Sequence, residues 1–354
     1  MNSMKKLNTL LVLTLALLIG SLAAQAQGLY APLGDSNQVA KLDPAGKSVL
    51  SLFGQMENPH GLAASPNGKV LYAASLLEKP VDGTMAKPEG VSEEDHAAHH
   101  GGASASPAKS NAPRTVSFIT KVDAATGKIL ARIEVRNFTH HVEVTPDGRF
   151  VIGVQPSAGR IVVVDAKTDQ VLQFIPTGAA PNYALASREG HRVYVSNAGT
   201  DTITVLDTTT WRVIANIPVA KAPEHMAFSA DESRLYAVNT GSNELSLVDT
   251  GTLKEIKRVP TGQTPHGVAI GKDGRIIVSN QGEDTLSVYA PDGAVSRMVA
   301  LSPQPYHVGI RSGDDTLWVT SRSQGKIWRL NTSGFSILGT LELPSVAHQL
   351  VFTN

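Results

Sequence analysis

The sequence predicts an all-β fold: a seven-bladed β-propeller of four-stranded blades, closed by a latch between its two ends. Three observations predict it. Asp123, Asp165, Asp207 and Asp249 recur at an unbroken interval of 42 residues, each closing a β-branched or leucine-rich run. Further short apolar runs, among them Val193-Tyr194-Val195, Leu235-Tyr236-Ala237-Val238 and Ile276-Ile277-Val278, are separated by turn tripeptides such as Pro146-Asp147-Gly148 and Lys272-Asp273-Gly274. The ends are complementary: residues 29–53 supply three outer strands and no inner one, and residues 348–353 supply an inner strand alone. Joining them completes one blade and leaves no open sheet edge.

Residues 1–26 read as a secretory signal. Lys5 and Lys6 precede a nearly uncharged apolar stretch, which ends at the small-x-small site Ala24-Gln25-Ala26. A periplasmic or secreted protein is expected, with no membrane insertion after cleavage. The propeller then spans residues 27–354. With 31 basic and 31 acidic residues, and a mature chain two charges negative once Lys5 and Lys6 are lost, nucleic acid is excluded as a partner. The absence of cysteine excludes disulfides, thiolate metal sites, iron–sulfur clusters and a cysteine nucleophile.

The seven inner strands begin at Pro59-His60, His140-His141, Asn182-Tyr183, Glu224-His225, His266-Gly267, Tyr306-His307 and Ala347-His348. We number the blades one to seven in that order. The repeat residues Tyr194-Val195-Ser196-Asn197, Tyr236-Ala237-Val238-Asn239 and Pro265-His266-Gly267-Val268 resemble the YVTN β-propeller repeat family, whose relatives include surface-layer-type, lactonase-like and d1-haem propellers. That resemblance covers essentially all of the mature chain. It implies fold and leaves function open, because a propeller's function is grafted onto its loops.

Blade one departs from the period. Residues 76–114, rich in Ala, Ser, Gly, Pro, Lys and Glu, separate its second and third strands and predict a flexible insertion. That insertion contains His96, His99 and His100.

Histidine is concentrated where the blades converge. Eleven histidines in 354 residues would by chance place fewer than one in the first two positions of seven inner strands. Seven are there: His60, His140, His141, His225, His266, His307 and His348. They fall in two adjacent registers, with His60, His140 and His266 in one and the other four in the next. Side chains alternate along a strand, so not all seven need face the axis. The chain enters each inner strand on the disc face to which the second-to-third turn also returns. His96, His99 and His100 are therefore expected on the same face as the ring.

Imidazoles without thiolates favour copper or zinc. The leading expectation is an exported binding protein that takes a transition metal, or a small metal-bearing ligand, at the channel mouth. Protonation near the ordinary imidazole pKa of about 6.5 would make that mouth cationic and release metal. Two alternatives stay open. One is a scaffold or interaction propeller with structural histidines and a protein partner. The other is a periplasmic metal-dependent oxidoreductase or lactonase-type hydrolase. Rings of histidine on propellers resemble the copper-cluster arrangement of nitrous oxide reductase and the distal pocket of d1-haem nitrite reductases. The chain carries no Cys-x-x-Cys-His, so electrons would have to come from a partner. No paired acids or nucleophile elbow support the hydrolase, and whether the protein is an enzyme stays undecided. A monomer is expected.

Overall fold

The computed structural model describes residues 28–80, 115–311 and 314–353. The signal segment and most of the insertion, including His96, His99 and His100, lie outside the described residues. Among the described residues no helix is long and apolar enough to cross a membrane.

The described residues form seven antiparallel sheets. Blade three is representative, with strands Pro181–Ala186, Arg192–Asn197, Thr202–Asp207 and Arg212–Pro218 paired in sequence order. The terminal latch forms as predicted: Val351–Thr353 pairs with Gly28–Leu33, through Gly28 opposite Thr353 and Tyr30 opposite Val351. The ladder begins later than expected. His348 precedes the strand, and its backbone N–H donates to the Pro32 carbonyl at 3.2 Å.

The middle strands read as near-continuous apolar runs because both of their faces are covered. Val193 and Val195 pack toward blade two with Ile152 and Ile161, whereas Tyr194 between them packs toward blade four with Leu235 and Ala237. Seven such clusters fill the seven inter-blade gaps. Trp318 lies between blades six and seven, and Trp328 between blades five and six, each 2% exposed. The repeated aspartates are turn caps. The Asp249 Oδ1 accepts from the N–H groups of Gly251 and Thr252, and the Asp123 Oδ1 does the same for Ala125 and Thr126.

In blade one the first part of the insertion belongs to the sheet. Lys79–Pro80 pairs with Thr115 and Val116 at the start of Thr115–Asp123. The Glu78 carboxylate accepts from Thr115 Oγ1 at 2.8 Å and from the Phe138 N–H at 2.7 Å. Residues 76–80 are thus anchored, where composition had marked them as the beginning of a coreless loop.

Candidate metal centre

Five of the inner strands start opposite the end of their second strand: Pro59 faces Ser75, Pro181 faces Asn197, Pro223 faces Asn239, Pro265 faces Asn280 and Pro305 faces Ser321. This puts the inner-strand starts and the second-to-third turns on one face of the disc, as the topology predicted.

Immediately after each of these prolines the ladder is irregular. Pairing resumes at Leu62, Tyr183, Met226, Val268 and Val308. A break of this kind releases the residues inside it from strict up–down alternation. The two-register expectation is corrected here, because all seven rings from both registers gather in one cluster. His60 lies 4.2 Å from His140 and 3.3 Å from His348, centroid to centroid. His141 lies 4.9 Å from His225, and His307 lies 4.3 Å from His225, 4.8 Å from His266 and 4.4 Å from His348. Gly61 permits part of this convergence: a Cβ there would stand 2.5 Å from the His141 Cα.

On blades five to seven the ring nitrogens converge. His266 Nε2 is 3.3 Å from His307 Nε2, which is 3.1 Å from His348 Nδ1. The outward nitrogens of the flanking rings are held. His266 Nδ1 is 2.7 Å from the Glu224 carboxylate, and His348 Nε2 is 3.1 Å from the Tyr306 hydroxyl. Tyr306 also stacks on the His266 ring at 3.8 Å. An imidazole nitrogen offers one in-plane lone pair or one N–H. His307 Nε2 therefore cannot satisfy both neighbours by hydrogen bonding. A cation among the three nitrogens would satisfy all of them. For a tetrahedral metal with N bonds of 2.0–2.1 Å the N···N edge is about 3.3 Å, close to both measured separations. Carboxylate and hydroxyl partners on the far nitrogens are the usual orienting shell of metal-bound histidine. The residues present fit a transition metal.

On blades one, two and four the nitrogens are orphaned. His60 Nε2, His225 Nε2 and both nitrogens of His141 are buried without a hydrogen-bond partner. His140 sits at the edge of the cluster, its Nδ1 3.2 Å from the Asn182 carbonyl. Blade three brings Asn182 and Tyr183 in place of histidine, and the Tyr183 ring lies 4.4 Å from His225. His191 is exposed and apart from the cluster.

Burial sets the electrostatics. It pushes His141, His225, His307 and His348 well below the ordinary imidazole pKa, helped by the neighbouring histidines. Burial, with His140, His266 and Arg322, pushes His60 down to about 2. These five rings therefore stay neutral well below pH 6.5, contrary to the cationic switch expected from sequence. Burial would raise the Glu224 carboxyl, but the hydrogen bond and charge of His266 outweigh it and hold Glu224 below its ordinary value. Deeper in the channel, burial pushes the Glu143 carboxyl up to about 8. Glu143 lines a cavity of about 330 Å³ with residues 62–66 and 349–353, toward the other disc face.

Sequence reasoning missed Glu224, Tyr306 and Glu143. The signal for the first two was positional: Glu224 and Tyr306 occupy the same place after proline as His60 and His266.

No family model matches the chain, and no curated protein matches it either. Solved structures do. The periplasmic gluconolactonase of Pseudomonas aeruginosa aligns with a TM-score of 0.68 at 17% identity, over 93% of this chain and 99% of that one. Kuenenia stuttgartiensis hydrazine synthase aligns with a TM-score of 0.65 at 17% identity, over 83% of this chain and 89% of that one. The dihydro-haem d1 dehydrogenase NirN, in complex with DHE, aligns with a TM-score of 0.63 at 18% identity, over 90% of this chain, which spans 64% of that longer one. Likeness at this identity is likeness of fold.

Proposed function

We propose that this protein is an exported propeller that holds a transition-metal ion, copper or zinc, at its channel mouth between His266, His307 and His348. The observation that carries the reading is the convergence of His266 Nε2, His307 Nε2 and His348 Nδ1, with separations of 3.3 and 3.1 Å along it. Glu224 and Tyr306 hold the two flanking rings in the orientation that aims those nitrogens inward. Burial keeps His307 and His348 neutral, the form that coordinates. The rings are too closely packed to admit a flat macrocycle among them, so the reading favours a bare ion over a metal-bearing ligand. The Irving–Williams order favours copper where both metals are available.

Metal content of the untagged mature protein tests this. The expected result is at least one copper or zinc per chain that survives dialysis and is lost in His307→Phe. Metal-free protein that shows no thermal shift with either ion would overturn it.

A second reading, lactonase-type hydrolysis, draws on one observation. The Glu224–His266 pair at 2.7 Å is an oriented imidazole that could serve as a general base. It requires turnover of a sugar lactone that persists after chelation and disappears in His266→Gln. No turnover of gluconolactone by the metal-free protein ends it.

A further inference from the structure

The nitrogens on blades one, two and four are not used by the site proposed above. Four of them are buried without partners, two belonging to His141, which is 1% exposed, and one to His225, which is 5% exposed. Buried polar atoms in folded proteins are nearly always paired, and an unpaired one calls for an explanation. Here two fully buried imidazoles present lone pairs or N–H groups to nothing but each other's neighbourhood.

Their geometry supplies the explanation. One ligand atom from each of His141, His225 and His307 lies within 4.8 Å of the others, and the same is true of His266, His307 and His348. The two triads share only His307. A third triad, His60, His141 and His348, overlaps both and offers the same orphaned nitrogens an alternative seat. Three interlocking triads are more than one ion can use.

We propose that the mouth binds a second ion of the same class beside the first, with His141 and His225 as its own ligands and His307 standing between the two ions. This inference rests on the metal-binding reading above. It assigns a role to the half of the ring that the first ion leaves unpaired, and it makes the mouth a paired-metal site rather than a single one. The all-nitrogen ligand set again selects copper or zinc.

The test uses the mature, untagged protein in a His96→Ala, His99→Ala, His100→Ala background, so that the insertion contributes no imidazole. The protein is saturated with Cu(II), dialysed, and analysed for copper content and for integrated electron paramagnetic resonance intensity. The expected result is two coppers per chain with a signal well below the copper count, because neighbouring Cu(II) ions couple. His225→Phe should then retain one copper whose signal accounts for all of it. His141→Phe provides the same readout if His225→Phe does not fold. One copper per chain, unchanged by His225→Phe, would overturn the second ion and leave the first. Two coppers with full signal, or two retained in His225→Phe, would also overturn it. No copper at all would overturn the metal-binding reading itself.

Discussion

His266, His307 and His348, on blades five to seven, pass their nitrogens to one another and to Glu224 and Tyr306, whereas His60, His141 and His225, on blades one, two and four, bury four ring nitrogens with no partner. Both sets sit on the same face, and each draws on both registers of the inner-strand starts. The difference lies in what stands beside them. Glu224 and Tyr306 occupy the place after proline on blades four and six, next to the first set. The second set is surrounded by other imidazoles and Tyr183, with the Arg322 charge also acting on His60. A histidine's role in this ring is therefore decided by its neighbour on the adjoining blade, not by its own position in the repeat.

Acid should stress both halves, and this is the largest effect expected. In the unfolded chain each histidine takes up a proton near pH 6.5, while in the folded mouth burial keeps His60, His140, His141, His225, His307 and His348 neutral at that pH. The unfolded state then binds more protons, so stability is complete above pH 6.5 and falls as the pH drops below it. Each such histidine contributes up to about 1.4 kcal/mol per pH unit in that window. Denaturant unfolding of the metal-free protein at pH 6.5 and 5.5 should differ by several kcal/mol. Zinc should add stability at both pH values and leave the difference between them unchanged, because the folded histidines are already in the neutral, coordinating form. An unfolding free energy that does not change between the two pH values would show that the histidines are solvated rather than buried.

Substituting an isosteric apolar ring should separate the halves by sign. Removing an unpaired buried polar group relieves its desolvation penalty, about 1–3 kcal/mol, so His225→Phe should stabilise the metal-free protein. His307→Phe removes a ring whose nitrogen meets two others, and should destabilise it. Equal effects of the same sign, read from thermal melts, would erase the distinction between the two halves.

The smallest effect sharpens the account of the engaged half. Glu224→Gln keeps the shape but loses the charge that orients His266. Loss of such an outer-shell partner typically weakens metal affinity about 10–100-fold. Competition with a chelator should show that loss with the melting temperature of the metal-free protein little changed. Unaltered affinity would mean that Glu224 plays no part in the site.

Much of the fold was legible in the chain. The 42-residue interval, the apolar runs and the Asp-Gly turns specify strands because both faces of each middle strand are covered by a neighbouring blade, so residues such as Val193, Tyr194 and Val195 are all apolar. The latch was legible because each end lacked what the other supplied. Residues 76–80 were misread, since composition reports the lack of a core and not the single carboxylate, Glu78, that ties this stretch to Thr115 and Phe138.

The candidate site was legible as a list of residues and not as a geometry. All seven inner-strand histidines were identifiable by position, but strict alternation would have turned three of them away from the other four. The ladder break after the proline on blades one, four, five and six overrides that alternation for His60, His225, His266 and His307, while His140, His141 and His348 precede the regular strand pairing of their blades. The charge state was equally hidden: sequence assigns an imidazole pKa near 6.5, and burial among other imidazoles lowers it. The sequence by itself thus determined the propeller, its blade number, its closure and where histidine concentrates, because periodic burial is written residue by residue. Only the tertiary structure decided which nitrogens meet, which stand alone and which stay neutral, because those properties arise between blades 40 or more residues apart in the chain.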